Sequence, residues 1–279
     1  MEPTPESILL NGRRALVTGG ARGIGRATAL ALVRFGAEVA VCDRLGDELA
    51  ATVADLEQAG GTVHSAVLDV RDTDAVQNWV EELSTRWDGL ELLVNNAGGG
   101  FVADVVDVST KGQAALIAEN FTQVAEVTRA CVPLLRAGAA GAHGRDGGSS
   151  IVNITSVEAH RAGPGFGIYS AMKAGVANLT RTLALELSMD RIRVNAIAPD
   201  MIPTPGDAGL TEDSGALTHT DWAPTPWPDE GHAGDVASAV IWLAGPMSRF
   251  VTGTTVHVDG GTLASSGWKR SIDGDTWVL

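Results

Sequence analysis

A phenol, an ammonium and a hydroxyl stand at suggestive spacing in this chain. Tyr169 and Lys173 are four positions apart, and Ser156 precedes the tyrosine by thirteen. On a helix, positions i and i+4 share a face, so Tyr169 and Lys173 would point the same way. Ser156 follows the apolar run Ile151 to Ile154, which reads as a buried strand, and a Gly/Pro-containing loop leads on to the helix. A strand, a loop and a helix would thus bring together groups able to hold a developing oxyanion and to give it a proton. Tyr-x-x-x-Lys also occurs by chance in helices, so its meaning depends on the elements around it.

Those elements alternate. Arg14 to Thr18 reads as a strand, Ile24 to Phe35 as a helix with apolar residues at helical spacing, and Glu38 to Cys42 as a second strand. Gly46 to Ala59 is a helix, Val63 to Leu68 a strand, Thr73 to Trp87 a helix and Leu90 to Val94 a strand. Asp107 to Ala137 reads as mostly helical, dividing near Glu119-Asn120 and ending close after Pro133. Ala137 to Ser150 is Gly-rich and reads as a mobile surface loop. Ile151 to Thr155 is the fifth strand, Gly167 to Ser188 the helix carrying Tyr169 and Lys173, and Ile192 to Ala198 the sixth strand. Ala233 to Ala244 and Thr255 to Val258 are the last helix and strand. This rhythm predicts a single Rossmann-type α/β domain over 1–279: a doubly wound parallel sheet of about seven strands with helices on both faces. Residues 1–12 form a lead-in, the Pro- and Trp-containing stretch 200–231 a lid, and 263–279 a C-terminal extension.

Bulk composition narrows the partners. A net charge of −14 argues against nucleic acid or an anionic membrane surface. No apolar run is long enough to span a bilayer, and the N-terminal residues lack the order of a signal peptide. Cys42 and Cys131 have no metal-ligand spacing and read as reduced core thiols of a cytoplasmic protein. No metal site is expected.

Thr18-Gly-Gly-Ala-Arg-Gly-Ile-Gly25 lies between the first strand and the first helix. Gly19, Gly23 and Gly25 permit a tight turn and close backbone approach, so a pyrophosphate could face the helix N-terminus beside Arg22 and Ile24. Asp43, at the end of the second strand, could accept hydrogen bonds from an adenosine ribose and repel a 2′-phosphate, which favours NAD over NADP. Arg22 and Arg44 pull the other way. Asp69-Val70 follows the third strand, where the carboxylate could cap the next helix or meet an adenine amino group. Asn95-Asn96-Ala97-Gly98 follows the fourth strand, as a plain turn or as a place where a cofactor lies close to the backbone.

TGGARGIG, NNAG, Ser156 and Tyr169-Ser-Ala-Met-Lys173, in this order, closely resemble the short-chain dehydrogenase/reductase family, over residues 12–262. The turn spacing is similar to that of its compact reductase branch. The resemblance implies hydride transfer between a nicotinamide cofactor and a secondary alcohol or ketone, with Tyr169 as general acid and base. Lys173 would lower the phenol's pKa and hold the nicotinamide ribose, and Ser156 would stabilise the alkoxide. Asn120 matches the family's fourth catalytic member, which positions a water. Pro199, Ile202 and Thr204 match the segment over the nicotinamide. The resemblance also implies a homotetramer. The lid's prolines and tryptophans suggest an apolar or cyclic substrate. An NADP-dependent ketone or 3-oxoacyl reductase, or a non-catalytic NAD-binding sensor, are the alternatives. The chain departs from the family pattern at Asp200, which replaces a glycine, and at Glu158 and His160, which either face solvent or contact a polar substrate. It also departs in the tail beyond Leu263, which either covers the site or a neighbouring subunit or is disordered.

Overall fold

Strands with no polar face must be buried on both sides, and that is how the sheet is built. The computed structural model describes residue 2 and residues 4–142, 147–207 and 223–278. Seven parallel strands lie in the order β3-β2-β1-β4-β5-β6-β7. They are β1 (Arg14–Thr18), β2 (Glu38–Asp43), β3 (Val63–Val67), β4 (Leu92–Asn95), β5 (Ser149–Ile154), β6 (Ile192–Pro199) and β7 (Thr255–Val258). Every residue of β4, β5 and β6 is buried.

Side chains alternate between two cores, as the period of a strand requires. Ala15, Val17, Val39, Val41, Val94 and Val152 face one core, with Leu32 and Val33 of α1 (Gly23–Arg34), Leu49 and Leu56 of α2 (Gly46–Gln58) and Val240 of α7 (Ala233–Ala244). Leu16, Ala40, Cys42, Leu93 and Ile151 face the other. There they meet Trp79 and Leu83 of α3 (Thr73–Arg86), Cys131 and Leu135 of α5 (Gln123–Ala140) and Ala184 of α6 (Gly167–Glu186). Cys42 and Cys131 are both free and fully buried.

The largest differences from the expected boundaries are in the middle of the chain. Helix α4 (Thr110–Ile117) joins α5 through a π-type turn at Ala118–Thr122, with no break between them. Helix α5 runs past Pro133 to Ala140, so the first residues of the expected Gly-rich loop are helical. Proline removes one helix donor, but buried Leu134, Leu135 and Ala139 hold the turn that follows against the sheet. Residues 143–146 of that stretch lie outside the described residues.

The tail is ordered where it is described. A short helix α8 (Thr262–Ser265) precedes an antiparallel pair, β8 (Lys269–Arg270) with β9 (Trp277–Val278). Ala223 N donates to Arg270 O at 3.0 Å and Arg270 Nε donates to Pro226 O at 2.9 Å, so this hairpin braces the returning arm of the 200–231 segment. Trp222 and residues 208–221 of the expected lid lie outside the described residues. Among the described residues no helix is long and apolar enough to cross a membrane.

Candidate active site

The strand order reverses between β1 and β4, and in a doubly wound sheet a ligand crevice opens at the carboxyl ends of the strands at that point. Two turns meet there. Gly19 adopts φ +66°, and a Cβ at Gly25 would stand 2.0 Å from the Gly19 carbonyl oxygen, so the loop folds this tightly only with glycine at both positions. The turn after β4 is stitched to it. Thr18 Oγ1 accepts from the amides of Asn96 and Ala97, each at 3.1 Å, and Asn96 Nδ2 donates to the carbonyls of Thr18 and Gly19, each at 3.0 Å. Asn95 is buried and donates to Asn153 and Thr128, which fixes β4 against β5 and α5. The Asn pair is therefore more than a plain turn, because it holds the two lips of the crevice together.

A cleft of about 500 Å³ runs along this crevice. Gly19, Arg22, Gly23, Ile24, Asp43, Asp69, Val70, Asn96, Ala97, Gly98, Pro199, Ile202 and Thr204 line it, as do Ser156, Tyr169 and Lys173. At one end Asp43 accepts from Ala21 N at 3.0 Å and Leu45 N at 3.1 Å. Both neighbouring arginines face carboxylates: Arg22 Nη1 is 3.5 Å from Glu48 and Arg44 Nη2 4.0 Å from Glu119. Asp69 does not cap a helix; Asp72 caps α3 by accepting from Ala75 N at 3.0 Å. Asp69 instead pairs with Arg71, whose hydrogen bond holds its carboxyl below the usual range. Thr204 reaches over the Gly-rich turn, its Cβ 3.2 Å from where a Cβ on Gly23 would stand.

At the other end Lys173 Nζ lies 5.6 Å from the centre of the Tyr169 ring, and Phe166 packs edge-on against that ring at 6.1 Å. Lys173 is buried and donates to Ile154 O at 3.1 Å, one of three bonds an ammonium can give. Burial pushes its pKa down to about 8, against the opposing influence of Glu119. Asn120 is fully buried in the π-type turn. Its Nδ2 donates to Gly99 O at 2.8 Å and Leu116 O at 3.0 Å. Its Oδ1 and Lys173 Nζ flank Gly98, each 3.1 Å from where a Cβ would stand.

The cleft fits a nicotinamide dinucleotide. Gly-rich backbone lies at its middle, Asp43 at one end, and at the other a buried cation has donors to spare, as ribose hydroxyls require.

The residues that depart from the family pattern build the wall beside Ser156. Ser156 Oγ donates to Glu158 Oε2 at 2.7 Å. Arg161 Nη2 bridges Glu158 Oε1 at 3.0 Å and Asp200 Oδ2 at 2.9 Å, and Thr262 Oγ1 donates to Asp200 Oδ2 at 2.6 Å. Burial raises the Asp200 carboxyl above its ordinary value, with Thr262 and Arg161 opposing. Glu158 and Asp200 line the cleft; His160 does not, packing instead edge-on against His257 at 4.8 Å. Burial lowers the His160 pKa, and its Nε2 has no hydrogen-bond partner among the described residues. Arg161, Thr262 and Glu119 were not singled out from the sequence. Their roles depend on contacts across 39, 62 and 75 positions that no local pattern carries.

The family model described as Enoyl-(Acyl carrier protein) reductase matches residues 19–262. A 3-oxoacyl-[acyl-carrier-protein] reductase from Thermotoga maritima is 36% identical over 252 residues, 90% of this chain and 98% of the relative. Carveol dehydrogenase from Mycobacterium avium, solved with NAD, is 30% identical with a TM-score of 0.82, covering 91% of this chain and 99% of that one. A candidate 2-deoxy-D-gluconate 3-dehydrogenase from Agrobacterium tumefaciens, solved with NADP, is 32% identical with a TM-score of 0.78, covering 92% of this chain and 99% of that one. Parallel sheet, Gly-rich crevice and whole-length similarity together make this chain an oxidoreductase of the short-chain dehydrogenase/reductase family.

Proposed function

We propose that the chain is an NAD-dependent oxidoreductase interconverting a secondary alcohol and a ketone, with Tyr169 as general acid and base. The observation that carries this reading is the buried Lys173 ammonium beside the Tyr169 ring, at the end of a dinucleotide-shaped cleft that Ser156 also lines. In reduction, the substrate oxygen accepts hydrogen bonds from Tyr169 and Ser156, and the phenol gives up its proton as the alkoxide develops. The Lys173 cation favours the phenolate left behind, and its remaining donors hold the ribose. Asn120, bonded to Gly99, fixes the π-type turn beside Lys173, where a water can exchange protons with solvent. A bound nicotinamide supplies or accepts the hydride.

The preference for NAD rests on Asp43 and on the carboxylates facing Arg22 and Arg44, which leave a 2′-phosphate in an acidic setting. Those same two arginines favour the second reading, an NADP-dependent ketone or 3-oxoacyl reductase. Leu185 near the end of α6 and Met189 in the turn after it are exposed and support assembly into a homo-oligomer, which we propose is a tetramer. Two buried thiols support a cytoplasmic setting.

The apolar-substrate reading loses support at the described end of the lid. Trp227 is 63% exposed, with its indole donating to Asp229, while the wall beside Ser156 is charged. The test is a panel of secondary alcohols and ketones assayed with both nucleotides by the absorbance of the reduced nicotinamide. Turnover with NAD⁺ that vanishes in Tyr169→Phe supports the proposal. Tight nucleotide binding with no turnover of any substrate would replace it with a sensor.

A further inference from the structure

We infer that the Glu158 carboxylate reads a hydroxyl on the carbon next to the reacting one, so that the substrate is a vicinal diol or the matching α-hydroxy ketone. This inference rests on the alcohol/ketone reading above and names the substrate class of the same site.

The geometry is a pair of oxygens facing a pair of oxygens. Glu158 Oε2 and Ser156 Oγ stand 2.7 Å apart on the cleft wall. Neighbouring oxygens of a gauche diol are separated by about a hydrogen-bond distance, so the two edges match. The proton count then decides what binds well. Ser156 has one proton, and without substrate it is given to Glu158. When Ser156 turns that proton to the reacting oxygen, Glu158 Oε2 loses its donor on a side chain only 20% exposed. A second substrate hydroxyl replaces the donor, whereas a mono-alcohol leaves the carboxylate oxygen unsatisfied under the substrate.

Glu158 is also held for this task. Its Oε1 accepts from Arg161 Nε at 3.3 Å and Nη2 at 3.0 Å, and Arg161 is anchored across the wall by Asp200, itself held by Thr262. The carboxylate therefore cannot turn away without breaking a pair that ties the loop after β5 to the end of β6. Two carboxylates share one guanidinium, so the wall is net negative and disfavours an anionic substrate.

The test uses the purified full-length enzyme and kcat/KM for butane-2,3-diol against butan-2-ol, and cyclohexane-1,2-diol against cyclohexanol, with NAD⁺ and NADP⁺. The diol is expected to win by roughly 10- to 100-fold, the range set by one acceptor left unsatisfied beneath the bound substrate. A 2-hydroxy acid of similar length is expected to be turned over less well than the diol. In Glu158→Gln, Arg161 retains the amide oxygen and the amide NH₂ faces Ser156, so the diol preference should fall to near unity. Fluorescence of the bound reduced nucleotide checks that the variant is folded, and Glu158→Ala provides a second substitution. Equal kcat/KM for diol and mono-alcohol in the wild type, a hydroxy acid that outperforms the diol, or an unchanged preference in a folded Glu158→Gln would overturn the inference while leaving the alcohol/ketone reading intact. Failure of every alcohol with both nucleotides would instead defeat that reading, and the inference with it.

Discussion

Lys173 carries the largest energetic liability in the site. A buried lysine whose pKa falls from 10.5 to about 8 penalises its own charged form in the folded state. The folded protein then binds fewer protons than the unfolded chain between those values, so stability rises with pH across that window. At neutral pH nearly the whole penalty is present, about 3 kcal/mol as an order of magnitude. Lys173→Met should therefore raise Tm at pH 7 while abolishing turnover, and the gain should shrink as pH rises from 8 to above 10.5. Thermal melts of both proteins across that range check the sign. Tyr169→Phe should lower kcat by roughly 10²- to 10⁴-fold, the usual worth of a positioned proton donor, with little change in nucleotide affinity. At this scale much of the site was legible in the sequence. The cleft is lined by sixteen of the residues selected from motifs, from Gly19 to Thr204; buried Asn120 and Gly25 shape it from behind. Asp69 was read less fully, because Asp72 takes the cap of α3 and the pairing of Asp69 with Arg71, two residues away, was not anticipated, while Asp69 still lines the cleft. Glu158 was visible as an anomaly, but its partner Arg161 was not.

At the scale of elements, close backbone approach governs more than propensity does. Glycine in the first turn of α1 is intrinsically unfavourable, yet Gly25 is the residue that lets the helix start against Gly19. Gly25→Ala should abolish nucleotide binding, measured by titration of reduced nicotinamide fluorescence, while circular dichroism shows the helices retained. Gly138 in α5 is a similar case far from the cleft, where a Cβ would stand 2.2 Å from the Leu90 carbonyl oxygen. Gly138→Ala should cost roughly 1–3 kcal/mol by overpacking, read as a lower urea midpoint, and leave KM for the nucleotide unchanged. The alternation of strands and helices was readable from apolar periodicity because the central strands β4, β5 and β6 are buried on both faces and the helices pack one apolar face against the sheet. The course of α5 was not, since Pro133 and the glycines after it are local stop signals that the buried Leu134, Leu135 and Ala139 outweigh.

For the molecule as a whole, the tail is the feature that periodicity could not place. The β8–β9 pair is short and each strand has few residues, but Arg270 and Ala223 tie it to the returning arm of the 200–231 segment. Deleting residues 267–279 should raise KM for the alcohol several-fold with little effect on the nucleotide Kd, because the tail is tied to the returning arm of the 200–231 segment and none of its described residues lines the cleft. An equal loss in both constants would show that the tail supports the whole sheet instead.

The two thiols have a practical consequence. Cys42 on β2 and Cys131 on α5 meet in the same core, and burial pushes the Cys131 thiol up to about 12 and Cys42 higher still. The attacking species in disulfide exchange is the thiolate, so neither sulfur reacts while the layer between sheet and helices is closed. An aromatic disulfide reagent added to the native enzyme therefore measures openings of that layer. At low reagent concentration its rate reports their free energy, and at saturation it reports the opening rate itself. The protein thus carries its own clock for unfolding, one that needs no turnover to read and that bound nucleotide should slow.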